Sequence, residues 1–376
     1  MKRIAMILSG GAGQFNEGIH LPSLYNIISL LSEDLHITVY SPKVSGMMRL
    51  QSYCGKAEVK YLPVNITSHW TKKMWTYIDA ISEDHTRCPY DVLHAMLGLS
   101  EEVSAVLLAK RFNIPAVLSF LGAETANIPQ YNYGYLRKRF TKLITLWLAK
   151  QAQTLTLQSS FQAAILREHN VLRTDVNIIP HGVDISTFRP YPKQLIPPIN
   201  FINVANIHRI KDHETLLYAF ALIHKQVDSN LRVIGIDYRK GEIQKLALHL
   251  GIQDNVEFYG HVPYEDIPRH YQWAHMLLHT SMYEGGSVAA TEAASSGVVI
   301  AGTSVGLLSD WGGNQIINVN VGDYHQLAEK VLALLQDENA FFTLQRRSRA
   351  WAEMHDINWT VHKYKTIYNN GLHPIN

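Results

Sequence analysis

The sequence predicts an α/β protein of two doubly wound domains, and three observations carry that expectation. Apolar runs of strand length alternate with helical patterns from one end of the chain to the other, which is the pattern of parallel βαβ units. At 376 residues with 47% hydrophobic side chains, the chain is too long for one ordinary core and can bury two. The stretch Pro190-Tyr191-Pro192-Lys193-Gln194-Leu195-Ile196-Pro197-Pro198 interrupts the alternation, because it sustains neither a helix nor a central strand. It is expected to be an interdomain linker, with a first domain over 1–190 and a second over 199–356.

Taken in order, the strand candidates of the first domain are Ile4–Leu8, Ile37–Tyr40, Val92–Ala95, Ala116–Phe120, Thr154–Leu157 and Val176–Ile179. Each is an apolar run of strand length. After the prolines come Phe201–Val204, a helix near His213–Lys225, Leu231–Gly235, a helix near Gly241–Leu250, Val256–Tyr259, Met276–His279, a small-residue helix and Val298–Ala301. Phe341 to Leu372 is expected to be helical, and its last part, about 357–376, to pack back on the first domain. Ligands of such sheets bind at the carboxyl ends of strands, so facing domains are expected to hold a site in a central cleft.

Composition excludes several classes of function. Lys plus Arg, 34, exceeds Asp plus Glu, 32, so weakly that no global field points to nucleic acid. Cys54 and Cys88 are the only cysteines, without metal-type spacing, which suits a reducing cytoplasm rather than a disulfide framework. The run Ile4–Leu8 is too short for a signal-peptide core, and no stretch of about 18 apolar residues is available to span a membrane.

The block from Tyr283 to Ile300 carries the chemistry. Glu284 and Glu292 stand eight residues apart around Gly285-Gly286, with Ser287 as helix cap and Gly297 as helix stop before a β-branched strand. Side chains of a helix lean toward its N-terminus, so both carboxylates are expected to approach the same helix end. That end, with free N–H groups and paired glycines, attracts phosphate. Carboxylates repel phosphate but accept hydrogen bonds from hydroxyls on either side of it, which describes a sugar joined through phosphates to a ribose.

Several segments in sequence order resemble the glycosyl transferases group 1 family, retaining enzymes of GT-B architecture with two Rossmann-like domains facing a central cleft. These are Ile179-Pro180-His181-Gly182-Val183-Asp184, Phe201-Ile202-Asn203-Val204-Ala205 with Lys211, Phe258-Tyr259-Gly260-His261-Val262, and the Glu284/Glu292 pair, which matches the family's Glu-x7-Glu motif. The resemblance implies that Glu292 holds the ribose diol and Glu284 contacts the transferred sugar. Gly285, Gly286, Ser287 and Val288 would offer amides to the sugar and diphosphate, and Lys211 would neutralise the departing nucleotide. The family's arginine five residues before the lysine is Asn206 here, so Arg209 is expected as the second cation. Val262 sits where the family lays the base on backbone. Gly11 and Gly13, in Ser9-Gly10-Gly11-Ala12-Gly13, would bring backbone to the donor phosphates or the acceptor, as the family's N-terminal glycine loop does, or form a turn that serves tight packing alone. The family's His-Gly element is replaced by Leu121-Gly122-Ala123-Glu124, leaving Glu124 as the acceptor-side candidate.

The implied reaction moves a sugar from a UDP- or GDP-sugar to the hydroxyl of a glycan, lipid-linked or small-molecule acceptor, with no cofactor and no metal. His275 and His279 have the spacing of a helical metal pair, but in a strand they stand roughly 13 Å apart, and no Asp-x-Asp element is present. Gly11-Ala12-Gly13-Gln14-Phe15-Asn16 imitates a dinucleotide fingerprint without its third glycine or a partner acid after Val39-Tyr40-Ser41. Two rivals stay open: a nucleotide-sugar epimerase of the same architecture, and a non-catalytic subunit that binds nucleotide. The segment Tyr135–Trp147, basic and then apolar, suits either a helix buried on one side or peripheral contact with an anionic inner-membrane face.

Overall fold

The computed structural model describes residues 1–9, 22–43, 54–65 and 67–369, which form two compact units. Unit 1 comprises Met1–Pro180 with Trp359–Asn376, and unit 2 comprises His181–Asn358. The proline-rich stretch expected as a linker lies within unit 2, where Lys193 donates to the carbonyl of Tyr271 at 2.9 Å.

Unit 1 runs β1 (Arg3–Leu8), α1 (Pro22–Leu31), β2 (His36–Lys43), β3 (Glu58–Asn65), α2 (Trp70–Arg87), β4 (Val92–Met96), α3 (Leu99–Phe112), β5 (Ala116–Phe120), α4 (Arg139–Gln151), β6 (Thr154–Leu157), α5 (Ser160–Glu168) and β7 (Asn177–Ile178). Its 7-stranded sheet has the order β3-β2-β1-β4-β5-β6-β7, so the strand order reverses between β1 and β4. Every pairing in it is parallel, with Ala5 opposite both Thr38 and Leu93. β4 and β5 are apolar along most of their length, and both, with β6, are buried throughout, as strands covered on both faces require. The edge strand β3 was absent from the expected set. It mixes exposed and buried residues and contains Pro63, a pattern tolerated at an edge.

Unit 2 continues with β8 (Ile199–Val204), α6 (His213–His224), β9 (Ser229–Ile234), α7 (Glu242–His249), β10 (Val256–Gly260), α8 (Ile267–Trp273), β11 (Met276–His279), α9 (Val288–Ser295), β12 (Val299–Thr303), α10 (Leu307–Trp311), β13 (Ile317–Val319), α11 (Tyr324–Leu335) and α12 (Glu338–Met354). The 6-stranded sheet has the order β10-β9-β8-β11-β12-β13, again all parallel, and reverses between β8 and β11. The short β13 was also unanticipated from the sequence.

The last helix, α13 (Ile357–Asn369), enters unit 1 at Trp359. There Tyr364 and Tyr368 are fully buried, and the Tyr368 hydroxyl lies 2.5 Å from His94 Nδ1 on β4.

Candidate functional site

In a doubly wound sheet the crevice opens at the carboxyl ends of the strands where the order reverses. In unit 2 that point lies between β8 and β11, and the chain leaving each strand brings its chemistry there. After β8 the backbone makes a short 3-10 turn, Arg209–Lys211, and Asp212 takes the left-handed conformation at φ 48 and caps α6 through Thr215 N at 3.3 Å. After β11, Thr280 donates to the carbonyls of Lys211 at 3.2 Å and Asp212 at 2.9 Å, and Met282 N donates to Ile210 O at 2.7 Å. These bonds fasten the two strand-end loops together.

The result is an ion pair between Lys211 Nζ and Glu284 Oε1 at 2.5 Å. Ser281 Oγ donates to the same carboxylate oxygen at 2.6 Å, and His279 Nε2 lies 3.4 Å from it. Burial pushes the Glu284 carboxyl up, but Lys211, His279 and Ser281 outweigh it and hold the group below its ordinary value. Glu284 is therefore ionised at neutral pH. His279 is itself buried, and burial brings its imidazole down to about 4, so it is neutral there.

His279 also reaches 3.0 Å to the hydroxyl of Ser287, the residue that caps α9 by accepting from Ala290 N at 3.2 Å. The helix ends as the sequence indicates: Gly297, at φ 65, donates to Ala294 O at 3.1 Å and Val298 to Ala293 O at 2.8 Å, a Schellman closure. Gly285 and Gly286 are buried, while Val288 is partly so. Gly306, in the loop after β12, also has a left-handed φ of 54, and a Cβ there would stand 2.8 Å from the carbonyls of Glu284 and Gly286. A glycine is thus required for that loop to support the Glu284 turn.

Glu292 occupies a different environment. It is 4% exposed, and its Oε2 accepts from the Tyr271 hydroxyl at 3.0 Å, with Tyr264 as a second hydroxyl partner. Burial pushes its carboxyl up to about 8, against the pull of both tyrosines. The two carboxylates expected at one helix end thus have separate partners, one ionised and one protonated at neutral pH. Val262 packs, partly buried, against the apolar cluster that includes Tyr271 and Ala290.

Arg209 lies 3.7 Å from Glu242, a carboxylate that also receives Arg239. Asn206, at the position of the family's arginine, uses its side-chain oxygen to accept from Ile236 N at 2.9 Å. In unit 1, Glu124 is 1% exposed and accepts from Gly122 N at 2.8 Å, and its carboxyl is raised by burial. Its neighbours are the equally buried Glu101 and Glu102 at the start of α3. Gly11 and Gly13 lie outside the described residues. Sequence reasoning missed Ser281, Tyr264 and Tyr271. It considered His279 only as half of a metal pair with His275, whereas His275 accepts from Asn200 N at 2.9 Å and lies 3.1 Å from Gln194 O.

Comparison with known proteins yields two family matches: "Glycosyltransferase Family 4" over residues 23–187 and "Glycosyl transferases group 1" over residues 192–351. Among curated proteins, the MMP alpha-(1->4)-mannosyltransferase of Mycolicibacterium hassiacum is 27% identical over 180 residues, 48% of this chain and 42% of that protein. The N-acetyl-alpha-D-glucosaminyl L-malate synthase of Bacillus anthracis is 28% identical over 174 residues, 46% of this chain and 45% of its own length. The alignments thus span under half the length of each of these relatives. Among solved structures, sucrose-phosphate synthase from Thermosynechococcus elongatus superimposes with a TM-score of 0.81 at 18% identity, covering 98% of both chains. HepE from Anabaena, in complex with UDP and glucose, gives 0.77 at 15% identity, covering 98% of this chain and 99% of the other. At these identities the likeness is one of fold.

Proposed function

The chain belongs to the group 1 glycosyltransferases of GT-B fold, and from that premise we propose that it transfers a sugar from a nucleoside diphosphate sugar to an acceptor hydroxyl with retention of anomeric configuration. The observation that carries the reading is the Lys211–Glu284 pair beside the capped N-terminus of α9, at the point where strand order reverses in unit 2. The UDP and glucose in the HepE complex support a nucleotide-sugar donor.

In this reading the α9 amides and the Lys211 ammonium receive the diphosphate, a preorganised positive field that costs no reorganisation as charge develops. Glu284, ionised and freed from part of its contact with Lys211 by the incoming phosphate, accepts hydroxyls of the sugar. Glu292 accepts the ribose diol. The bond from the anomeric carbon to the phosphate oxygen breaks while the bond to the acceptor oxygen forms on the same face, and the departing phosphate takes the acceptor proton. The nucleoside diphosphate leaves. No side-chain base is required, which accommodates a unit 1 without the family's histidine. No cofactor enters the scheme. Arg209, Val262, Gly11, Gly13 and the acceptor-side Glu124 belong to the proposal as secondary contacts. The acceptor is assigned to cell-surface glycan, polysaccharide or glycolipid synthesis on the cytoplasmic side.

Thermal-shift screening with UDP and GDP selects the base, since a ligand that binds only the folded state raises its melting temperature. Transfer assays with the matching sugar nucleotide then follow the product anomer by NMR. Glu284→Gln and Lys211→Ala should each abolish most transfer, and an inverted product or undiminished activity in both variants would defeat the assignment. Inversion within the sugar ring on incubation with donor alone would identify an epimerase instead.

A further inference from the structure

The helical layer α2, α3 and α4 of unit 1 carries apolar side chains that its core does not use. Along α4 the inward face is supplied by Leu148 and Ala149, with Ile144 and Leu146 packed partly buried against the same cluster. A second apolar row, Phe140, Leu143 and Trp147, follows at helical spacing away from that face and is 58%, 69% and 38% exposed. This outer row lies outside the apolar core, and the contact of its exposed part with water is unfavourable.

Neighbouring helices extend the row into a patch. The ring of Trp70, at the start of α2, lies 5.8 Å from that of Phe140, which joins the amino ends of α2 and α4. Between them α3 exposes Leu107 and Lys110, and Lys110 Nζ stands 6.0 Å over the Trp147 ring while donating to Gln151 at 2.7 Å. On α2, Trp75 is 58% exposed, one turn beyond the exposed Lys72. Farther along α2, Asp79 is exposed one turn beyond Trp75, and the acidic Glu83 is paired with Arg87 at 2.5 Å.

Charge completes the description. From Thr125 to Arg167 the chain contains no acidic residue, whereas Arg137, Lys138, Arg139, Lys142, Lys150 and Arg167 are basic. Most of them lie on α4 or the turn before it. The whole chain carries a net charge of only +2, so the positive charge is concentrated here. Exposed tryptophan and phenylalanine ringed by lysine and arginine are the composition of a surface that enters the headgroup region of an anionic bilayer, aromatic rings at the acyl boundary and cations on the phosphates. No helix among the described residues is long and apolar enough to cross the membrane, so such binding is peripheral.

We infer that the α2–α4 face of unit 1 docks on an anionic lipid surface, with Phe140, Leu143, Trp147 and Trp75 inserted and Lys138, Arg139 and Lys142 against the headgroups. The inference deepens the proposed function by placing the enzyme where a lipid-linked acceptor lies, yet it stands on the surface alone and survives if the donor assignment falls.

The test is flotation of the full chain with vesicles of phosphatidylcholine, with and without phosphatidylglycerol at about one-third of the lipid. Binding is expected only with the anionic lipid and is expected to fall sharply in about 0.5 M salt, where the Debye length shrinks to roughly 4 Å. Replacing Lys138, Arg139 and Lys142 together by Gln should weaken it about 100-fold, at the usual stabilisation per surface cation. Replacing Phe140, Leu143 and Trp147 together by Ser should do the same, because these side chains bear no part of the core. The far-UV circular dichroism spectrum and a cooperative thermal melt of both variants, matched to the wild type, certify folding without any ligand. Equal binding to neutral and anionic vesicles, no vesicle binding at all, or full binding by both variants would overturn the inference. So would concentration-dependent self-association of the wild type that the aromatic variant abolishes.

Discussion

Glu292→Gln should abolish a proton release that accompanies nucleotide binding to the wild-type protein. Burial pushes the Glu292 carboxyl up to about 8, so at pH 7 roughly ten molecules carry the proton for each that does not. A ribose diol donates two hydroxyls, and only the ionised carboxylate accepts both. Binding through the diol therefore expels close to one proton. Ionising the group first weakens the dissociation constant about 11-fold at pH 7 and about 100-fold at pH 6, so affinity should tighten roughly ninefold between those values through Glu292 alone. Isothermal calorimetry with UDP or GDP in two buffers of different ionisation enthalpy counts the protons directly. The ligand's own phosphate titrates near pH 6, but it does so equally in both proteins, and the difference between wild type and Glu292→Gln isolates the carboxyl. The glutamine keeps an oxygen for the Tyr271 hydroxyl, now at 3.0 Å from Glu292, and cannot ionise. Heats independent of buffer in the wild type, or the same proton count in the variant, would refute the reasoning.

The remaining predictions concern positioning and stability. His279→Phe removes the nitrogen 3.0 Å from Ser287 Oγ and 3.4 Å from Glu284 Oε1, and is expected to lower kcat about tenfold with a smaller change in KM, a split that steady-state assays with the matched donor resolve. Gly306→Ala forces a side chain into a left-handed backbone 2.8 Å from the Glu284 and Gly286 carbonyls, and should cost roughly 1–3 kcal/mol in chemical denaturation as well as most of the transfer activity. Burial, reinforced by the neighbouring Glu124 and Glu101, raises the Glu102 carboxyl well above its ordinary value. The folded state thus keeps a proton that the unfolded chain loses as pH climbs past about 4.3, and stability declines above that point. Glu102→Gln escapes the decline, so its melting temperature relative to wild type should rise between pH 5 and pH 8. A relative fall would show Glu102 ionised and paired in the folded protein.

The sheets were legible in the sequence for a definite reason. Strands buried on both faces, such as Ala116–Phe120 and Met276–His279, must be almost continuously apolar, and runs of only four or five such residues are too short for a buried helix. The edge strand β3 escaped because solvent on one side allows Lys60, Pro63 and Asn65 within it. Lys211 and Glu284 were legible only through the order of motifs around them, since nothing local says that residues 73 positions apart meet. The topology supplies that meeting, by making β8 and β11 neighbours at the reversal of strand order.

The placement of Arg209 shows how two cations close in sequence take different partners in the fold. Arg209 and Lys211 sit two apart in a 3-10 turn, where about 120° separates successive side chains, so they project from different sides. Lys211 turns to Glu284, and Arg209 lies at Glu242 on α7, an element whose approach no local pattern encodes. His279 is the opposite case. Its position at the end of Met276-Leu277-Leu278-His279 puts an imidazole at the carboxyl end of a fully buried parallel strand. A polar side chain there has nothing apolar to gain from the core and must be satisfied by groups gathered at the strand end. In a doubly wound sheet those are the groups of the site, here Ser287 and Glu284.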